Sequence, residues 1–595
     1  MDFTEKINRR AFLRSGTALL GTGCALGSFN RLWAQDKPLH PLWPDGRAPR
    51  IDSQRRRFHL TIRPQDVLAD SIPLERCVRY PETEPPYDVT APPKEYYDGE
   101  LPQGVERIPC DDFVSLWKAA GVTDVWLCLF GMGEWIYDWD VCDRAIEKLR
   151  RADLAVHFLT CPLGHPRREP YPSMVRQGFK PLMRVNGDLN GAPLWGSSCH
   201  RPADVLCVES VRTLADRYGG YNLFFDDDFR FADSPNFMGG CLCPECLDDF
   251  SRKSGISGAK LNELIEDLRF TRPTDAARIW VDYFCDRMTK VFRDSQAAVP
   301  ESELGIMVMW LGSERSGLRL EDYKGALWRV GEGHFGDSSY DSPEGKLSEL
   351  FSALFHTRFA PPGRTFSETT MVAPLSVENF SSKLAVSTFC DIRNTMFMDG
   401  TPVGPNYWSS HAVRMKQEAA FHQKLLGRKP KGPFKHYWGI DDRYFDIPRD
   451  GGEYSLFLGV GVPFEVCDSE EIPSDGWTFL SNYSGLAVDE GRLAPAGRCL
   501  CRMKSQSGRF AQLDETFEAF FAFRRSILPE LKEKNIPYIE EETPIVLGWY
   551  PDAPAALLWN IENVEKTVHL RRGDFVAAVT LRPLDSALVE NPLLG

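Results

Sequence analysis

Asn222-Leu-Phe-Phe-Asp-Asp-Asp-Phe-Arg-Phe231, followed at a short interval by Gly240-Cys-Leu-Cys-Pro-Glu-Cys246, is the stretch on which the fold turns. Leu223, Phe224 and Phe225 form the short apolar run expected of a strand buried on both faces. Asp226, Asp227 and Asp228 follow without a gap. Three adjacent carboxylates repel one another and are costly to bury unpaired, so the cluster is solvated, paired with cations or used in chemistry. Cys241, Cys243 and Cys246 are spaced as three ligands of a tetrahedral zinc site. Cys199, just before the helix that leads into the strand, is the candidate fourth ligand.

Outward from this stretch, residues 55–424 alternate short apolar runs with helical patterns, as βα units do. Eight strands are predicted: Phe58–Ile62, Asp124–Phe130, Ala155–Thr160, Leu223–Asp228, Gly305–Trp310, His334–Ser338, Thr365–Thr369 and Thr395–Asp399. Helices are expected over Trp139–Arg151, Ala203–Tyr218, Asp275–Ala298 and Lys346–Phe359. Eight parallel strands ringed by helices make a (β/α)8 TIM barrel, an α/β fold whose active residues sit at the C-terminal ends of the strands. Those ends supply His59, Glu134, Asp226, Asp227, Asp228, Trp310, Asp337, Glu368 and Asp399, a rim dense in carboxylates. The Pro-rich, acidic residues 63–110 read as a long insertion.

The barrel is assigned to residues 36–428, and Gly427–Pro433 reads as a linker. Residues 429–545 show an α/β pattern with strands in Ser455–Val466 and Gly476–Ser481 and a helix over Leu513–Lys534. Residues 546–595, with Ala555–Asn560, Lys566–Leu570 and Phe575–Leu581, look like a small antiparallel β-domain.

Residues 1–35 carry an address. Asn8-Arg-Arg-Ala-Phe-Leu-Arg14 has the twin-arginine arrangement, and a weakly apolar stretch and a possible cleavage region follow it. The expected location is the periplasm or beyond, and no stretch is long and apolar enough to span a bilayer. With 70 basic against 84 acidic side chains the net charge is −14, which argues against nucleic acid as a partner. The 16 cysteines are too sparse in 595 residues for a disulfide-stapled fold.

The order of Cys199, a helix ending Arg217-Tyr218, the Asp226–Asp228 strand end, Cys241-x-Cys243-x-x-Cys246 and Phe250 resembles that of family 42 glycoside hydrolases, the β-galactosidase type of clan A. The resemblance implies a structural zinc, an acid/base at Asp228 and a nucleophile at Glu368. It also implies galactoside-like substrates, an amidotransferase-like second domain that helps to build trimers, and a C-terminal β-domain. Asp227 stands where the family has Asn, and Asp228 where it has Glu. Glycosidic cleavage needs two such carboxylates, one protonating the leaving oxygen and the other attacking the anomeric carbon or activating water. Three other readings remain open. One is a strand-four nucleophile, Asp226 or Asp228 acting with Asp337, as in α-fucosidase- and α-galactosidase-like enzymes. Another is a divalent cation held by the Asp cluster, and the third is a carbohydrate-binding pseudoenzyme.

Overall fold

The computed structural model describes residues 41–62, 64–68, 71–73, 107–131, 133–161, 170, 172–183, 193–195, 203–226, 229–231, 238–309, 314–331, 337–370, 376–398, 405–445, 454–466, 470–495 and 497–595. The twin-arginine region lies outside them, as do Cys199, Asp227, Asp228, Trp310 and Asp399.

Eight parallel strands close into a barrel: β1 (Arg57–Ile62), β2 (Val122–Gly131), β3 (Ala155–Cys161), β4 (Asn222–Phe225), β5 (Glu303–Met309), β6 (Leu327–Gly331), β7 (Thr365–Thr370) and β8 (Asn394–Met398). Each pairs with the next, and β8 and β2 both pair with β1, which leaves no open edge between them. Outside run α1 (Cys110–Ala120), α2 (Trp139–Arg151), α3 (Ala203–Tyr218), α4 (Pro244–Ser254), α5 (Ala259–Arg269), α6 (Asp275–Ala298), α7 (Pro343–His356), α8 (Val377–Phe389) and α9 (Pro405–Leu425). The helices expected at Trp139–Arg151, Ala203–Tyr218 and Asp275–Ala298 have the predicted ends. α1 starts at the end of the segment read as an irregular insertion.

The sixth strand is the correction. It is Leu327–Gly331, ahead of the expected His334–Ser338, of which 334–336 lie outside the described residues and Asp337 begins a short helix, Asp337–Tyr340. The reason lies in Leu327-Trp-Arg-Val-Gly331: a charged residue interrupts the apolar run, and a run so interrupted reads as surface or turn.

Inside the barrel, alternate residues of each strand point to the axis. Trp126, Leu159, Phe224, Leu327, Phe366 and Met396 form one buried cluster there, with Ile51 closing it from the N-terminal side. Gly305 on β5 faces the same layer. A side chain there would stand 2.6 Å from the Phe224 ring and 2.7 Å from Leu327, so the packing requires glycine. Below this layer the interior is polar. Arg57, Asp124, His157, Asn222 and Asn394 lie at or near their strand starts, and the strap of residues 48–53 bonds across them to Glu301 and Gly363.

Beyond the barrel comes a five-stranded all-parallel sheet, β9 (Phe434–Tyr437), β10 (Phe464–Glu465), β11 (Trp477–Leu480), β12 (Arg498–Cys501) and β13 (Ala511–Gln512), in the order β10-β9-β11-β12-β13. The strand expected over Ser455–Val466 is largely a 3-10 turn, Leu456–Gly459, and only Phe464–Glu465 pairs. Gly461 there has φ +67° and lies against Ile539. In sequence, α10 (Ile440–Phe445) follows β9 and α11 (Phe517–Glu533) follows β13. The chain ends in two three-stranded antiparallel sheets. One contains Tyr538–Ile539, Lys566–Arg572 and Phe575–Leu581, the other Ile545–Tyr550, Ala555–Asn560 and Ser586–Glu590. The stretch read as a linker is packed down: Lys431 donates to the Trp549 carbonyl.

Candidate active site

Two residues above the interior cluster, the same inward alternation continues with different chemistry. Phe224 is followed inward by Asp226, Leu327 by Arg329 and Phe366 by Glu368. The top layer at β4, β6 and β7 therefore carries an acid, a base and an acid.

They are in contact. Arg329 Nη1 lies 2.5 Å from Asp226 Oδ1, and Nη2 donates to Glu368 Oε1 at 2.6 Å. Arg329 is 0 % exposed, Asp226 7 % and Glu368 3 %. The register explains the meeting. Arg329 is level with Met307 on β5 and Phe366 on β7, so its side chain rises between them. Met307 Sδ accepts a further bond from Nη2 at 3.3 Å. Asp226 extends the fourth strand by one residue, its N–H donating to the Thr160 carbonyl. A carboxylate fixed by a guanidinium is suited to act as a base or nucleophile and poorly suited to give up a proton.

Among the described residues, the other expected rim side chains stand apart from this centre. His59 is the third residue of β1, below the rim and fully buried. Its Nδ1 accepts from Trp126 Nε1 at 3.3 Å and its Nε2 pairs with Asn394 Oδ1 at 3.1 Å. So placed it cannot reach a substrate, and burial drives its pKa down to about 4 against the pull of Asp124. Its partners Trp126 and Asn394 hold it in the interior, and they lie 67 and 335 positions away in the chain. Glu134 does lie beyond β2, on a short antiparallel strand with Trp135, in an ion pair with Arg176. Asp337 is not at a strand end. It accepts from Ser376 N at 2.9 Å and from Asn379 Nδ2 at 2.8 Å, which secures the start of α8.

Arg329 is the residue that sequence reasoning missed. Its only signal was a lone charge inside an otherwise strand-like pentapeptide.

Among the described cysteines, Cys241, Cys243 and Cys246 come together, with their Sγ atoms all within 4.8 Å of one another. Cys243 caps α4, whose first turn holds Cys246. Cys241 Sγ accepts from Met183 N at 3.2 Å and Cys243 N at 3.4 Å, and Cys246 Sγ from Arg287 Nη1 at 3.3 Å. Zinc–sulfur bonds of about 2.3 Å in a tetrahedron put sulfurs about 3.8 Å apart, and N–H donors aimed at sulfur suit thiolates. The three residues fit zinc.

No protein-family model and no curated protein sequence matches the chain. Solved structures do. A cold-adapted β-galactosidase from Rahnella sp. R3 superposes with a TM-score of 0.57 at 10% identity, over 91% of this chain and 99% of its own. A GH42 β-galactosidase from G. stearothermophilus gives 0.56 at 11%, over 92% and 99%. The fold is that of the family 42 β-galactosidases. A third such β-galactosidase fold, from the psychrophilic Marinomonas ef1, gives 0.53 at 9%, over 89% and 99%. At these identities the likeness is one of fold, and it runs through the sheets beyond the barrel as well as the barrel itself.

Proposed function

We propose that the protein is an exported glycoside hydrolase acting on non-reducing-end sugars, galactosides first, with Glu368 as its nucleophile. One observation carries the reading. Glu368 points inward from β7 in the top layer of the barrel, opposite a strand-four acid, and a buried arginine donates to it. The β-galactosidase fold of the whole chain supports the substrate class. The leaving oxygen takes its proton from Asp228, two residues beyond Asp226. Asp228 would need to hold that proton near neutral pH, which the adjacent carboxylates favour. Cys241, Cys243 and Cys246, with Cys199, would hold a zinc that braces the segment after β4. A site closed by four thiolates supplies no chemistry to the reaction.

A second reading has support of its own, because Arg329 is also in an ion pair with Asp226. Asp226 could therefore be the attacking group, as in hydrolases with a strand-four Asp nucleophile. Its former partner Asp337 is engaged at α8 and does not serve that reading.

Kinetics of Glu368→Gln, Asp226→Asn and Asp228→Asn on an aryl galactoside and on a disaccharide separate the two. Glu368→Gln is expected to lower kcat roughly 10⁴-fold or more on both substrates. Asp228→Asn should cost about 10²–10⁴-fold on the disaccharide and much less on the aryl glycoside, whose leaving group needs little protonation. Near-normal activity of Glu368→Gln with loss in Asp226→Asn would transfer the nucleophile to strand four. No turnover by the unmodified protein on any glycoside would leave a carbohydrate-binding protein.

A further inference from the structure

We infer that Arg329 is the positioning residue of this site, fixing Glu368 and Asp226 as one rigid pair of anions. The inference rests on the hydrolase reading above for its catalytic meaning, though not for its geometry. A guanidinium at 0 % exposure is stable only when its charge and donors are met. Here the two terminal nitrogens go to different carboxylates, on β4 and β7, which otherwise have no direct backbone pairing. The planar fork of arginine makes this possible. A lysine offers a single nitrogen at the end of a flexible stem and cannot hold two acids at fixed separation.

The geometry has a further consequence. Two carboxylate oxygens sharing one fork stand no more than about 7 Å apart, the span of one hydrogen bond, one ion-pair contact and the fork between them. Both therefore lie close together in the top layer of the barrel, and the charge of the arginine offsets theirs in so buried a place. Met307, level with Arg329 on β5, touches the same guanidinium on the side of its neighbouring strand. Arg329 thus orients the proposed nucleophile without touching substrate.

The test uses Arg329→Lys and Arg329→Met in the full-length chain, with two readouts. The first is the pH profile of aryl-galactoside hydrolysis. Arg329→Lys is expected to lower kcat by about 10²-fold, the cost of misplacing a reacting group by an ångström, with KM little changed. The acid limb of kcat/KM should move to higher pH, because a carboxylate that stays buried after losing its fixed partner holds its proton longer. An unmoved acid limb would overturn the proposal, since a merely structural ion pair would alter melting temperature alone. The second readout needs no turnover: thermal stability against pH for Arg329→Met and for Arg329→Met with Glu368→Gln. Without the guanidinium, a buried carboxylate keeps a proton that the unfolded chain releases above about pH 4, so stability should fall as pH rises from 5 to 8. Glu368→Gln in that background should lessen the fall. A slope equal to that of the unmodified protein would overturn the clamp. If Arg329→Met does not fold, the same slope is read from Arg329→Lys. If the unmodified protein turns over no glycoside, the hydrolase reading fails and the stability slopes alone decide the clamp.

Discussion

Asp124 accepts from Arg57 Nη2 on both carboxylate oxygens, at 2.8 and 2.6 Å, and its Oδ1 pairs with His157 Nε2 at 3.0 Å. Burial alone would raise its pKa, but His59, His157 and Arg57 together hold it well below the usual carboxylate range. His59 completes this layer in its neutral form. Its folded pKa of about 4 lies below the ordinary value of 6.5, so the unfolded chain takes up a proton first as pH falls. His59 therefore contributes stability that is present above pH 6.5 and lost as pH falls from 6.5 to about 4, roughly 3 kcal/mol at most. His436, buried and driven down to about 3 with help from Arg358, adds to the same slope. Asp124 acts lower, its contribution being lost only below the unfolded carboxylate range near 4. The expected outcome for His59→Gln is a flatter dependence of the urea midpoint on pH between 7.5 and 4.5, measured beside the unmodified protein. An unchanged slope would mean that His59 is not buried as a neutral ring. At this scale sequence misleads, because His59 and Glu368 are both polar residues in barrel strands. What separates a structural histidine from a site acid is the partner each meets: Trp126 and Asn394 for His59, the Arg329 guanidinium for Glu368.

At the scale of the element, the segment from β4 to α4 shows what spacing can and cannot reveal. Cys241-x-Cys243-x-x-Cys246 brings three sulfurs together because the turn into α4 is tight and Pro244 starts the helix directly after Cys243. Local geometry fixed by a few residues is legible in sequence. We expect about one zinc per chain by elemental analysis of the purified protein, falling to well below half in Cys243→Ser, with melting temperature lowered in step. Metal-free protein of unaltered melting temperature would refute the site. β6 teaches the opposite lesson. Its five residues form a strand because β5 and β7 supply backbone partners on both sides, from Gly305↔Leu327 to Val330↔Ser367. Arg329 is tolerated in the interior because two acids from other strands meet it. No property of Leu327–Gly331 announces those partners, which come from β5 and β7 and, for Arg329, from Asp226 and Glu368.

At the scale of the whole molecule, the three parts of the chain share their packing. One hydrophobic cluster runs from Leu42 through the barrel helices to Phe434, Phe479, Phe520 and Trp559. Ser382 on α8 donates to the Leu584 carbonyl and accepts from Trp559 Nε1, while Arg414 on α9 pairs with Asp585 at 2.7 Å. Deleting residues 538–595 would uncover the apolar faces of α8 and of the central sheet. The truncated chain is expected to be insoluble, whereas the full chain should show a single calorimetric transition; a soluble, cooperatively melting truncation would show the barrel to be independent. The sequence by itself determined the barrel class, seven of its eight strands, three helices to their ends, the terminal antiparallel strands, and the positions of Glu368 and the three neighbouring cysteines. These features rest on periodicity and short-range spacing, which the chain carries locally. Tertiary structure alone decided the place of β6, the burial of His59, the diversion of Asp337 to α8 and the junction of Asp226, Arg329 and Glu368. Each depends on groups between about twenty and several hundred positions away in the chain, and a buried charge is intelligible only once its opposite charges are in place.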